Sequence, residues 1–237
     1  MTESRFEETP PQPPQWPPGP EPQPAQEERG REPVFNAPWQ AVAVVVLIVG
    51  GYAVQTLFPV DAILAAYAFA PVNLAPGRWE TVITSIFLHG GWAHAMMNGA
   101  FALAFSAPLA RLFGPKLEGA LLFFGFYVLT GVLANLGYAA LHPGGHVLIV
   151  GASGAVSGLM GAAARLIGGE GRVGPMFSKP VLAMGGAWLA INLIIALVGG
   201  WFLPGAGNAG VAWEAHIAGF AVGVLLIGPF ARLAPKA

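Results

Sequence analysis

The sequence predicts an all-α membrane protein, a bundle of six transmembrane helices, and three observations carry that prediction. Six apolar stretches, at residues 38–58, 91–113, 117–141, 147–167, 180–203 and 211–233, each approach the ~20 residues that cross a ~30 Å hydrocarbon layer as helix. Only 10% of the residues are charged, against about a quarter in a soluble domain, and mean hydropathy is +0.61. Lysine and arginine also alternate between connections. Arg5, Arg29 and Arg31 precede the first span, Arg111 and Lys116 join the second and third, Arg165, Arg172 and Lys179 join the fourth and fifth, and Arg232 and Lys236 end the chain. The opposite connections hold only Arg78. Basic residues collect on the cytoplasmic side, so both termini are expected there.

Residues 1–36 stand apart as a Pro-rich acidic tail. They hold ten of the 22 prolines and seven of the 12 acidic residues, with almost no aliphatics. Such a segment buries too little apolar surface to offset chain entropy and is expected to be a disordered cytoplasmic tail, with docking to a polyproline-binding partner as the lesser alternative. A basic start running directly into a short apolar core and cleavage site is absent, so the first span is expected to stay in the mature protein. Residues 37–237 form the membrane domain. Between its first two spans lies a longer connection, 59–90, whose apolar piece 62–70 is too short to cross and reads as an interfacial or re-entrant element. Net charge is −1 with pI near 6.5, which leaves no basic excess for nucleic acid. With no cysteine there are no disulfides, thiolate metal sites or cysteine nucleophiles. The small-xxx-small pairs Gly154–Gly158 and Gly219–Gly223 mark close helix packing in the fourth and sixth spans.

Polar side chains inside spans are costly and become functional candidates by default. Those present are His89, His94, Asn98, Asn135, Ser153, Ser157, Asn192, Glu214 and His216. At 1.5 Å per residue, His94 and Asn98 lie roughly 5–10 Å below the outer surface, Ser153 roughly 9 Å and His216 roughly 8 Å. Three helices thus deliver a hydroxyl, two imidazoles and an amide to one depth. A serine hydroxyl needs a base to become a nucleophile, and His94 and His216 are the candidates. His94 and Asn98, spaced i, i+4, share a helix face and can direct two donors at one developing oxyanion. Ser153 follows the Pro143-Gly144-Gly145 loop at a helix start, where unpaired N–H groups add further donors. The spans offer no aspartate to orient a histidine, which favours a dyad over a triad. The remaining polar groups read as packing: Ser157 and Ser106 bonded to their own helix or a neighbour, Asn135 and Asn192 as links between helices, His142 and His146 as interfacial contacts, and Glu214 as a solvated interfacial carboxylate.

Three segments carry a family resemblance: Phe87-Leu-His89-Gly-Gly-Trp-Ala-His94-Ala-Met-Met-Asn98, Gly151-Ala-Ser153-Gly154-Ala-Val, and Ala215-His216-Ile-Ala-Gly219-Phe-Ala-Val-Gly223. In this order, on these spans, they resemble the signature segments of rhomboid intramembrane serine proteases, over essentially all of residues 38–233. The resemblance implies a six-helix core with a membrane-associated loop between spans one and two, and a Ser153–His216 dyad. It implies His94, Asn98 and the Ser153 backbone N–H as oxyanion donors, and a structural or water-handling part for His89. It further implies single-pass transmembrane substrates in the lipid bilayer, cut near the outer face, no cofactor or metal, and location in a bacterial inner membrane. The family's alternative is an inactive member that binds transmembrane helices as a chaperone or quality-control adaptor. Inverted repeats and charged midplane residues, expected of a transporter, are not seen. Two departures stand out. The first loop reads Arg78-Trp79-Glu80 where the family often has Trp-Arg, and Ser157 occupies the position, four after Ser153, where an aromatic ring often backs the histidine.

Overall fold

The computed structural model describes residues 36–198 and 211–235. Residues 37–237 cluster as one compact unit; the expectation of a disordered tail, and the last residues of the fifth predicted span, fall outside the described residues. Helix α1 spans Trp39–Gln55, widened to a π-turn over Val46–Gly50. It is followed by α2 (Val60–Tyr67), a 3₁₀ turn (Pro71–Leu74), α3 (Thr81–Thr84) and a second 3₁₀ turn (Ser85–Phe87). The main helices then run as α4 (Trp92–Phe113), α5 (Leu117–Leu141), α6 (Ser153–Ile167), α7 (Lys179–Val198) and α8 (Trp213–Leu233). Among the described residues the only strand-like pairing is an antiparallel bridge between Phe69 and Ile149. The fold is an all-α membrane bundle. Helices α4, α5, α7 and α8 are long and apolar enough to cross a bilayer, and α1 and α6 are shorter apolar helices.

The fourth predicted span needs correction, because helix begins only at Ser153 rather than near residue 147. Residues 147–151 run as non-helical chain, tied to the first loop at Ile149 and Gly151, with a further bond just before them at Gly145. Phe69 and Ile149 exchange N–H···O bonds of 3.1 and 2.6 Å, the Gly151 N–H donates to the Ser85 carbonyl at 3.0 Å, and the Val72 N–H donates to that of Gly145 at 3.0 Å. Non-helical backbone at membrane depth is tolerated only where protein covers it in this way. The 15-residue α6 is about 22 Å long, so its N-terminus starts inside the protein rather than at a surface.

The loop that makes these bonds is itself pinned. Arg78 donates from Nη1 to the Ala65 carbonyl at 3.3 Å and from Nη2 to that of Ala66, placing a cation on the carbonyl end of α2, and pairs with Glu80 at 3.4 Å. The reversed Arg78-Trp79-Glu80 order therefore still supports an arginine anchor. Asn135 of α5 links helices as expected, donating to the Val82 carbonyl at 2.9 Å and to the Ser85 hydroxyl at 3.1 Å.

Helix α6 is the centre of the bundle, with every residue from Gly154 to Leu166 buried. Its closest partner is α8, and glycine makes the approach possible. A Cβ on Gly219 would stand 2.2 Å from the Gly154 carbonyl oxygen, one on Gly223 2.0 Å from that of Gly158, and one on Gly161 2.2 Å from that of Phe220. Backbones this close exchange dispersion and Cα–H···O contacts in place of the hydrophobic drive that lipid does not supply. At the far end of the seam Arg165, read from sequence as a loop charge, is in fact buried, and it donates to the Gly174 carbonyl at 2.9 Å and the Val224 carbonyl at 2.8 Å.

Substituting Gly219 or Gly223 by leucine is expected to cost about 1–3 kcal/mol by forcing α6 and α8 apart. Gly125→Ala on α5, where an added Cβ meets nothing within 4 Å, should be neutral or mildly stabilising. Thermal unfolding in detergent checks both; equal effects at the two kinds of position would contradict the seam.

Candidate active site

The α6–α8 seam fixes what lies at its upper end. Ser153 immediately precedes Gly154, and His216 lies one turn before Gly219, so docking these glycines brings the two polar side chains together. The Ser153 Oγ is 2.7 Å from His216 Nε2. His216 is buried, whereas Ser153 is half-buried and keeps an exposed face. Helix geometry leaves the N–H groups of Ser153, Gly154 and Ala155 without intrahelical acceptors, while the Val156 N–H is the first to be satisfied, by the Ala152 carbonyl at 2.9 Å.

His94 is on the same side of the site. Its Nδ1 accepts a long bond, 3.4 Å, from the Gly90 N–H, which leaves the proton on Nε2. That Nε2–H borders the space over Gly151: a Cβ built there would be 2.7 Å from His94 Nε2 and 3.7 Å from Ser153 Oγ. Gly151 has φ +125°, which strains any other residue, and its missing side chain leaves room for a small group between a hydroxyl and an N–H donor. Asn98 shares the helix face of His94 as expected. One N–H of its amide donates to the His94 carbonyl at 3.0 Å, leaving the second for another partner.

His89 sits behind the site. Its ring is fully buried, and its Nε2 accepts from the Ala152 N–H at 3.4 Å. A backbone N–H donating to Nε2 requires that nitrogen to be unprotonated, so the ring is a neutral acceptor here. Gln55 clamps the His89 backbone from both sides, donating from Nε2 to the carbonyl at 2.9 Å and accepting from the N–H at Oε1 at 3.0 Å. Sequence reading missed Gln55. A buried glutamine at the end of an apolar helix was the available signal.

Asn192 links α7 to α8 as expected, and its partner is the candidate base itself: its Oδ1 lies 2.6 Å from His216 Nδ1. The expected loss of an aromatic backing at Ser157 is likewise made good from another helix, since the Trp188 ring stands 5.7 Å from the His216 ring at 33°. Ser157 itself bonds back to the Ser153 carbonyl at 2.7 Å, as read. Ser106, expected to do the same, is buried with no partner among the described residues. His142 is more than a lone interfacial contact: its Nε2 pairs with Glu214 at 3.1 Å and its ring packs on Tyr138 at 4.3 Å, tying α5 to the start of α8. Glu214 is thereby engaged away from His216.

A Rhomboid domain profile matches residues 76–232. The chain belongs to the rhomboid family. It is 28% identical over 156 residues to "Putative rhomboid protease YdcA" of Bacillus subtilis (strain 168), covering 65% of this chain and 69% of that protein. It is 38% identical over 85 residues to "RHOMBOID-like protein 5" of Arabidopsis thaliana, covering 36% of this chain and 26% of the plant protein. With its apolar helices, this rhomboid is an integral membrane protein.

Gly151→Ala is expected to leave the fold in place while displacing His94 or the backbone at φ +125°. The effect would show as loss of reaction with a serine-directed probe at Ser153 with Tm lowered by only a few degrees; undiminished reaction would show that the space over Gly151 is not used.

Proposed function

We propose that this rhomboid is an intramembrane serine endopeptidase, with residues 37–237 as its protease domain, hydrolysing peptide bonds in the membrane segments of single-pass proteins. The observation that carries the reading is the 2.7 Å approach of Ser153 Oγ to His216 Nε2 beneath a half-open face. In the proposed reaction the Ser153 hydroxyl passes its proton to His216 Nε2 as Oγ attacks the scissile carbonyl carbon. The His94 Nε2–H, an Asn98 amide N–H and the Ser153 backbone N–H stabilise the oxyanion. His216 then protonates the leaving amine, an acyl-enzyme remains on Ser153, and His216 next takes a proton from water as it attacks the ester. Collapse returns that proton to Ser153 and releases the acid product. His89 acts through structure, holding the Ala152 N–H and with it the start of α6.

The basic residues at Arg111, Lys116, Arg172, Lys179 and Arg232 support an orientation with both termini cytoplasmic and the site near the outer face, in a bacterial inner membrane. Substrates with helix-breaking residues near that face fit a site whose nucleophile sits at a buried helix start, because only unwound chain exposes a carbonyl to it.

Ser153→Ala and His216→Ala are each expected to reduce cleavage of a tagged transmembrane substrate in membranes by at least about 10³-fold with unfolding temperature nearly unchanged. Cleavage by Ser153→Ala at the wild-type rate would overturn the proposal and leave a helix-binding, non-catalytic role in its place.

A further inference from the structure

We propose that Asn192 is a positioning residue for His216, making a hydrogen-bonded Ser153–His216–Asn192 triad, and that Trp188, one turn earlier on α7, supplies the aromatic backing that Ser157 does not. The proposal rests on the protease reading above and concerns how its base is held.

The hydrogen bonds around Asn192 fix their own directions. Asn192 Nδ2 donates to the Trp188 carbonyl at 2.8 Å, so Oδ1 is the atom turned to His216. Rotating the amide would set oxygen against that carbonyl. Amide oxygen only accepts, so His216 Nδ1 carries the proton and Nε2 is left bare to accept from Ser153. This is the tautomer a general base needs, and an orienting side chain can select it without being charged. The geometry also answers the shortage of acidic groups, since Glu214 is paired with His142.

Placement on α7 separates this pair from ordinary packing. Only 11% of the apolar span of α7 is buried within the protein, yet Asn192 is 1% exposed. It is the one buried polar residue among the described side chains of that helix, and it is spent on His216. Trp188 lies at i−4 on the same face, wedged between His216 and Phe101, whose ring is 5.8 Å away. A single face of α7 thus provides both an acceptor for the imidazole edge and a surface for its plane.

The test uses the full chain in detergent, with Asn192→Leu, Asn192→Asp and Ser153→Ala compared for cleavage kinetics and for imidazole ¹⁵N shifts. In the wild type His216 should show protonated Nδ1 and bare Nε2. Asn192→Leu should lower kcat about 10- to 100-fold with KM within about twofold, and should abolish the Nδ1–H preference. Asn192→Asp should restore the tautomer and most of kcat, with the acid limb of the kcat profile moved to higher pH because a carboxylate favours the imidazolium. His94, the ionisable group facing His216 from α4, is the same in all variants. Trp188→Phe should keep activity and Trp188→Ala should not. The proposal is overturned by the opposite tautomer in the wild type, which needs no variant to fold. It is equally overturned if Asn192→Leu keeps wild-type kcat while Ser153→Ala is inactive, or if aspartate rescues no better than leucine. Wild-type cleavage by Ser153→Ala would instead remove the protease reading itself.

Discussion

Facing glycines bring α6 and α8 into backbone contact, and the positions of Ser153 and His216 follow from that contact. Lipid gives helices no hydrophobic reason to associate, so proximity has to come from surfaces that fit. Gly154 and Gly158 meet Gly219 and Gly223 with no room for even a methyl group between backbones. Ser153 and His216 sit at the edge of that contact, within one turn of it on their respective helices. Their hydrogen bond follows from main-chain packing, and Arg165 at the other end of the seam fastens the same two helices again.

A second constraint acts along the chain rather than across it. The hydroxyl proposed as nucleophile lies below a membrane surface yet at the start of a helix, which ordinary crossing helices do not provide. Non-helical chain at 147–151 makes this possible by borrowing hydrogen-bond partners from the first loop, and the loop is in turn fixed by Arg78 on the end of α2 and by Gln55 on His89. The unpaired N–H groups, the vacant volume over Gly151 and the His94 Nε2–H then converge beside one hydroxyl. Donors already in place need no reorganisation when charge develops between them.

Much of this was legible in the residues. Hydrophobic length gave the helices, and depth counting brought Ser153, His216, His94 and Asn98 to one level because each lies within two turns of a helix start. Asn192 stood out as a polar group in an apolar span and read as a link between helices, but its partner, 24 positions away on α8, could not be told from the residues alone. Span length misled at 147–151, since apolar composition does not distinguish helix from non-helical chain covered by a loop. Trp188 was invisible for a different reason: a tryptophan in an apolar span looks like every other lipid-facing aromatic until its neighbour across the bundle is known. Gln55 and the His142–Glu214 pair join residues 34 and 72 positions apart, a relation that no local pattern encodes.

If packing of two helices makes Ser153 a nucleophile, a fluorophosphonate added to the full chain and mapped by mass spectrometry should leave a single adduct on Ser153, and that adduct should disappear when His216 is replaced by alanine. Labelling elsewhere, or labelling of Ser153 that persists undiminished without the imidazole, would contradict it.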